Sequence, residues 1–181
     1  MIRSLLILCL LLAGGTPTVA QKKLVADKAK SAVTYAMRHP VHNWEGTSRE
    51  VNAAMIYDEA TKQVRQVAVA IRVASFNSKN ENRDSHMIEV LDGLTYPNVT
   101  FTSQDVKPAA DGSLTATGKL TFHNVTKPVT VQVKQREAGG KRLMDGTLSL
   151  KMTDYNVERP SFLGLVTNDD FTLTFALVFP N

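Results

Sequence analysis

The chain has 181 residues, 43% of them hydrophobic and 21% charged, with a formal net charge of +4. The charges are scattered without a basic block, which argues against a nucleic-acid-binding protein. The only cysteine is Cys9, so residues 10–181 cannot form a disulfide among themselves. Length and composition are typical of one globular domain.

The first twenty residues have the pattern of a secretory signal peptide. Met1 and Arg3 precede an apolar run at 5–15, and small residues lead to Ala20. The run is too short for a membrane-spanning helix. The sequence predicts cleavage near Ala20, a periplasmic or secreted location, and one domain at 21–181.

Alternating apolar and polar residues predict that β-strands make up most of this domain. One face of each strand would meet an apolar interior and the other water, as in antiparallel sheets. About eight strands without a βαβ rhythm favour a closed antiparallel barrel or a sandwich. The predicted strands are 31–38, 49–58, 63–76, 114–122, 129–133, 144–152 and 171–179, together with the one that begins at 96–103. Turn signals lie at 58–59, 111–112, 126–128 and 139–140.

Two segments break the β pattern and predict short helices that lie against the barrel. In the first, at 82–92, Asn82 is the expected N-cap and Gly93 follows the last periodic residue. In the second, at 158–170, Pro160 can start a helix and Gly164 can end it. The apolar stripe of the first helix consists of Met87, Val90, Leu91 and Leu94.

Asp84, Ser85 and His86 are in a poor arrangement for a catalytic triad. Consecutive residues of a helix point in different directions, so these three side chains cannot converge. No Gly-x-Ser-x-Gly elbow is present. These observations predict a protein that is not an enzyme.

The histidines do not predict a metal site. His39 and His42 are three residues apart, but Pro40 argues against a helix between them. In a strand, that spacing sends the two rings to opposite faces. No paired cysteines or H-E-x-x-H pattern is present.

Two interpretations of the first helix remain open. Arg83 and His86 share a helix face and could hold the head group of a lipid-like ligand at the mouth of a cavity. Alternatively, Arg83 and Asp84 form ion pairs and caps that fix the connection to the barrel.

The aromatic residues leave a second question open. An eight-stranded barrel is just wide enough either to be packed with side chains or to hold one small ligand. Periodicity alone does not distinguish these two interiors. The aromatic residues concerned are Trp44, Phe76, Phe101, Phe122, Phe162, Phe171, Phe175 and Phe179.

Three sequence blocks resemble the YceI family in order and spacing. They are N-x-x-R-D-x-H-M at 80–87, Y-P-N-V-T-F-T-S at 96–103, and G-x-L-T-A-T-G-K-L-T-F-H-N-V-T-K-P-V at 112–129. The resemblance covers nearly all of 21–181. The segment 39–58, which includes Trp44 and Glu45, departs from the family pattern and would shape one end of a cavity.

The resemblance implies an all-β, eight-stranded, antiparallel lipocalin-like barrel with one or two short helices covering an opening. Its apolar cavity would hold a polyisoprenoid or similar long-chain lipid, for carriage, storage or stress response, with no other cofactor. A homodimer and a transient membrane or membrane-protein partner are also implied. The alternatives are a lipid-directed hydrolase with His86 as base, or an interaction module with a packed barrel. The expected ligand-binding residues are Trp44, Arg83, Asp84, His86, Met87, Phe101, Phe122 and Phe175.

Overall fold

The computed structural model of the protein describes residues 21–180, most of which lie in β-strands. The predicted signal peptide lies outside these residues. One α-helix, α1 (Glu81–Val90), interrupts the strands. The strands are β1 (Gln21–Val25), β2 (Ala32–Arg38), β3 (Asn43–Ser48), β4 (Val51–Asp58), β5 (Gln63–Arg72), β6 (Asn98–Pro108), β7 (Leu114–Phe122), β8 (Val125–Ala138), β9 (Lys141–Lys151), β10 (Ser161–Phe162), β11 (Leu165–Val166) and β12 (Asp170–Pro180).

Ten of these strands form one curled antiparallel sheet in the order β1-β4-β5-β6-β7-β8-β9-β12-β2-β3. The sheet curls far enough for β3 to meet the chain after β5, where Thr47 and Asn77 exchange backbone hydrogen bonds of 3.0 and 3.1 Å. The all-β, antiparallel, lipocalin-like architecture is therefore confirmed. This sheet has ten strands in place of the predicted eight because β1 and β3 are short and lack the alternating pattern by which the others were predicted.

The period-two pattern correctly identified the interior face of the sheet. In β7, Leu114, Ala116, Leu120 and Phe122 are buried, as the alternation predicts. In β12, Phe171 and the residues that follow it at intervals of two also join the core. The apolar side chains of a single curled sheet thus face one another across its interior.

The turn predicted at 126–128 is wrong, because these residues lie inside β8. The turn lies earlier, at His123 and Asn124, whose φ angles are 47° and 60°. Two consecutive residues with positive φ are typical of a type I′ hairpin turn. Pro128 is tolerated within the strand because β8 pairs with β9 only from Val133 onward, so one edge of β8 is unpaired at the proline.

The first predicted helix is confirmed, with different ends. Asn80 is the N-cap in place of Asn82, and its side chain accepts a hydrogen bond of 3.0 Å from the backbone N–H of Arg83. At the other end, Asp92 has a φ of 44° and takes the left-handed position expected after a helix. Gly93 follows it and donates to the carbonyl of Ile88 at 2.8 Å.

The second predicted helix is wrong, because 160–167 forms the hairpin of β10 and β11. Leu163 and Gly164 join the two strands with φ angles of 52° and 76°, again the geometry of a type I′ turn. Pro160 accepts a backbone hydrogen bond of 2.9 Å from Thr167, which closes the hairpin. A helix could not continue through two residues with positive φ.

The turn between β4 and β5 depends on the buried carboxylate of Asp58. Its Oδ1 accepts from the backbone N–H groups of Ala60 and Thr61 at 3.0 and 3.1 Å. Its Oδ2 accepts from Nε and Nη2 of Arg65 at 3.2 and 2.8 Å. The Arg65 guanidinium, followed by the Thr61 hydrogen bonds, lowers the pKa of Asp58 to about 2.

Asp58→Asn should lower the thermal stability at pH 7, and the difference from wild type should shrink in acid. A carboxyl group with a lowered pKa stabilises the fold above its unfolded-state pKa of about 3.9. That contribution is lost as the pH falls through the folded value of about 2. Thermal unfolding followed from pH 7 to pH 2 measures the difference. Asp105→Asn, which removes an exposed pair with Lys107, is the control. A difference that stays constant over this range would contradict the assignment.

Candidate functional site

A cavity of about 510 Å³ lies between α1, the β10–β11 hairpin and one end of the barrel. Its size is within the range of about 300–1,000 Å³ that is usual for small-molecule sites. Apolar side chains such as Val73, Leu150 and Met152 form most of its wall. The cavity therefore suits a ligand that is mainly apolar.

A second cavity, of about 120 Å³, continues toward the middle of the barrel. Ile71, Val99 and Leu173 line both cavities, so the two adjoin at these residues. No charged side chain lines the inner cavity. The two cavities together form an elongated apolar space that begins beneath α1.

Helix α1 covers this space with one face. Met87, Val90 and Leu91 of the predicted apolar stripe line the larger cavity, but its fourth member, Leu94, lies beyond α1 and is 90% exposed, so that part of the prediction is wrong. His86 lines it from a more exposed position, with its Nδ1 3.6 Å from Oε2 of Glu89. The helix thus presents apolar side chains to the interior and an imidazole at the edge of the opening.

The structure gives Arg83 and Asp84 different environments. The guanidinium carbon of Arg83 lies 5.6 Å from the centre of the Trp44 ring, and both residues line the larger cavity. Both carboxylate oxygens of Asp84 accept from the backbone N–H of Ser78 at 3.1 Å. Asp84 lines neither cavity, so its expected role as a ligand-binding residue gains no support, and its contact with Ser78 fits the anchoring interpretation. Arg83 and His86 border the space that a head group would occupy.

The other predicted residues divide between the two cavities. Met87, Trp44 and Phe122 line the larger one, and Phe101 and Phe175 line the inner one. A ligand contact for each of these residues stays a prediction, since it needs a bound ligand to test it.

Phe101 and Phe175 lie against glycines of the neighbouring strands. A Cβ added to Gly118 would lie 2.8 Å from the Phe101 ring, and one added to Gly146 would overlap the Phe175 ring. Each ring therefore occupies the space that a larger residue would fill. This arrangement keeps the two rings close to the sheet and leaves the inner cavity open.

Tyr35, which the sequence reasoning did not single out, supplies a buried polar group next to the larger cavity. Its ring packs edge-on against Phe76 at 5.4 Å, and its hydroxyl is buried near Trp44 and Ser78 without a hydrogen bond of good geometry to either. Burial, and then the nearby charge of Asp84, raises the pKa of Tyr35, so the phenol is neutral at pH 7. A tyrosine between Val33 and Met37 in an inward-facing row was the available sequence signal.

His39 fastens the β10–β11 hairpin over the larger cavity. Its Nε2 donates to the carbonyl of Leu165 at 3.0 Å, while its Nδ1 accepts from the backbone N–H of Val41 at 3.1 Å. The His39 and His42 rings are 5.4 Å apart, and both contact Phe162. The expectation that the two histidines point to opposite faces is wrong, because they lie at the turn between β2 and β3 rather than within a strand.

Two further observations concern the part of the chain at 21–180. No three His, Cys, Asp or Glu side chains there lie close enough together to hold a metal ion. Among the helices described over the same residues, none has the length and apolar character needed to cross a membrane.

Comparison with known proteins identifies relatives over almost the whole described chain. A family model for the YceI-like domain matches residues 24–179. Protein YceI of Escherichia coli O157:H7 is 31% identical over 158 residues, which cover 82% of this chain and 82% of that protein. Protein YceI of Salmonella newport is 31% identical over 157 residues, with the same coverage.

Solved structures agree with this relationship. The crystal structure of BcnA from Burkholderia cenocepacia matches with a TM-score of 0.76 at 28% identity, and the match covers 84% of this chain and 98% of that one. A polyisoprenoid binding domain from Saccharophagus degradans matches with a TM-score of 0.66 at 16% identity, covering 87% and 97%. At that identity the second match shows the shared fold alone. From the family model and the curated relatives, we conclude that the chain belongs to the YceI family.

Proposed function

We propose that the protein binds a polyisoprenoid or similar long-chain amphiphilic lipid in the two adjoining cavities. The observation that carries this proposal is the shape and chemistry of the space. It is elongated, apolar along its length, and bordered by polar groups only near α1 and the hairpin. The polyisoprenoid binding domain from Saccharophagus degradans shares the fold and supports the same ligand class.

The cavities suggest one orientation for such a ligand. The apolar chain would enter the inner cavity past Leu173, where each buried methylene contributes about 0.8 kcal/mol. The polar head would stay near Tyr35, Arg83 and His86, which are close to the opening. A few polar groups are enough to orient a ligand whose affinity comes from its chain.

Extraction of the purified protein with organic solvent, followed by mass spectrometry, tests the proposal. We expect one long-chain lipid per chain when the protein is isolated from its native host. Protein that is repeatedly recovered without lipid, together with a crystal structure in which side chains fill both cavities, would overturn it.

The two alternatives have less support. In the hydrolase alternative, His86 would act as base, but the His86 and Glu89 side chains are 58% and 82% exposed on the surface of α1, and Asp84 is held by the Ser78 backbone. A packed-barrel interaction module would have no use for a cavity of about 510 Å³. No observation in the structure favours either function over lipid binding.

We also propose that the protein is exported and cleaved near Ala20 to give the periplasmic or secreted form. The apolar run at 5–15 supports this proposal. The intact mass of protein from a periplasmic fraction tests it, because cleavage would leave a chain that begins near Gln21. Full-length protein confined to the cytosol would contradict it.

The tip of the β10–β11 hairpin exposes apolar side chains beside the opening. Leu163 is 78% exposed, and its neighbours Phe162, Leu165 and Val166 are also exposed. Phe162 lines the larger cavity as well, so the exposed apolar surface is continuous with the cavity wall. Because the proposed cargo is itself a membrane lipid, we propose that this hairpin touches a bilayer when lipid is collected or delivered.

Leu163→Asp should slow lipid uptake from vesicles several-fold without changing the affinity for a detergent-solubilised lipid. The added charge disfavours insertion of the tip into a bilayer and does not alter the cavity wall. Stopped-flow transfer from fluorescent vesicles measures the rate. Val25→Asp, at a 53% exposed position that lines neither cavity, is the matched control.

Two outcomes would contradict this role for the hairpin. Equal transfer rates for the two variants would show that the tip does not meet the bilayer. A dimer in the wild type that Leu163→Asp converts to monomer would show instead that the hairpin is a homodimer contact.

A further inference from the structure

A buried arginine lies at the end of the barrel away from α1. Arg142 is on the inward face of β9 and is only 5% exposed. Its guanidinium carbon lies 3.7 Å from the centre of the Tyr57 ring, a close cation–π contact. A cation removed from water is costly unless hydrogen bonds and opposite charge compensate it.

The hydrogen bonds of Arg142 are incomplete. Nη2 donates to Oε1 of Glu137 at 2.7 Å, but Nη1 is buried and has no partner. A guanidinium has five N–H donors arranged for bidentate contact with an oxyanion. Glu137 uses one side of this fork from a side chain that is 63% exposed. The guanidinium therefore retains donors for a second oxygen-bearing partner.

A third cavity, of about 570 Å³, lies at the same end of the barrel, and Arg142 is one of its lining residues, with Nη1 itself closed to solvent. Its wall includes the cations Lys62, Arg136 and Arg142 and the carboxylate of Glu137. Asp145 pairs with Arg136 at 2.8 Å, and Glu137 pairs with Arg142, so the charge of Lys62 is left in excess. This cavity shares no lining residue with the two apolar cavities.

We propose that this cavity is a binding site for a small oxyanion, a phosphate or a carboxylate, with Arg142 and Lys62 as its main contacts. An oxyanion in this cavity would accept from the Arg142 guanidinium, with a shift of the side chain that opens Nη1 to the cavity, and would offset the excess charge of Lys62. Glu137 can move aside or remain beside the anion because most of its side chain is in water. The site is independent of the proposed lipid cavity.

Isothermal titration calorimetry with inorganic phosphate at pH 7 tests the site. We expect saturable binding by the wild type and a loss of affinity of about tenfold or more in Arg142→Lys, which keeps the charge but loses the fork. Lys62→Asn should weaken binding roughly two- to fivefold. Asparagine suits this position because Lys62 has a φ of 57°, which asparagine tolerates.

Lys79→Asn is the matched control for the titration. Lys79 is also exposed and has a φ of 61°, but it lies beside α1 at the other end of the barrel. Phosphate affinity should be unchanged in this variant. Binding to phosphatidylglycerol vesicles in place of free phosphate would identify a lipid head group as the source of the oxyanion.

Two results would overturn the proposal. One is the absence of saturable binding of either phosphate source. The other is equal affinity in Lys62→Asn, Arg142→Lys and Lys79→Asn, which would show that Arg142 only closes the barrel end. Thermal unfolding of each variant verifies the fold, and Lys62→Asn keeps the test valid if Arg142→Lys does not fold. Extracted lipid should be the same in all variants, so the outcome is separate from that for lipid binding.

Discussion

Leu173→Trp should lower the affinity for a long isoprenoid chain by about 100-fold and leave a short chain almost unaffected. Leu173 lies on β12 and lines both apolar cavities. An indole at this position would fill the passage into the inner cavity of about 120 Å³. At about 24 cal/mol per Å³ of cavity, exclusion from that volume costs a ligand about 3 kcal/mol. Each 1.4 kcal/mol is about a tenfold change in affinity.

Geraniol and geranylgeraniol are suitable probes because they share a head group and differ in chain length. In Leu173→Trp the dissociation constant of geranylgeraniol should rise sharply while that of geraniol stays almost the same, since only the longer chain needs the inner cavity. Thr174→Trp adds the same ring to the outer face of the same strand and is the matched control. The larger side chain can destabilise the core by about 1–3 kcal/mol, which thermal unfolding measures. An equal loss of affinity for geraniol and geranylgeraniol would contradict a binding mode in which the isoprenoid chain extends past Leu173.

Period-two alternation predicted most of the fold because each long strand has one face in the core. β7 keeps the pattern over its whole length, and β12 keeps it as far as Leu177, after which Val178 is buried as well. β1 and β3 were missed because edge strands need little apolar character: β1 carries Lys22 and Lys23 next to Leu24, and β3 consists mainly of polar residues. Their place in the sheet depends on tertiary pairing, which local pattern does not report.

The hairpin at 160–167 shows a second limit of local reasoning. Pro160 and Gly164 suit the ends of a short helix as well as they suit a hairpin. In the folded chain the hairpin is bound by a residue that is distant in sequence, since His39 donates to the Leu165 carbonyl. A contact of this separation leaves no local trace in the sequence.

The sequence predicted only part of the candidate site, and the limits are similar. The N-x-x-R-D-x-H-M block located α1, and helical spacing identified Met87 among the residues that face the cavity. The same spacing could not separate Asp84, which binds the Ser78 backbone, from Arg83, which borders the cavity. Tyr35 was missed because a strand tyrosine is commonly a core residue, and only the structure shows that its hydroxyl has no partner.

Tyr35→Phe should have opposite effects on the empty protein and on ligand binding. A buried hydroxyl without a partner costs about 1–3 kcal/mol, so its removal should raise the melting temperature of lipid-free protein by about 2–12 °C. A head group that accepts from this hydroxyl would lose a hydrogen bond, which lowers its affinity about three- to tenfold. The raised pKa of Tyr35 keeps the phenol protonated and able to donate at neutral pH.

The comparison of geranylgeraniol with its hydrocarbon analogue separates a role for the Tyr35 hydroxyl in binding from a change in packing. Only the alcohol has an oxygen that can accept from Tyr35, so only its affinity should fall in Tyr35→Phe. Tyr96→Phe is the control, because Tyr96 packs against His123 at 5.6 Å and lines neither apolar cavity. If Tyr35→Phe lowers the melting temperature, the hydroxyl has a partner such as water in solution. If Tyr35→Phe lowers the affinities for the alcohol and for the hydrocarbon equally, the head group lies elsewhere along the opening, with Arg83 and His86 as its remaining partners.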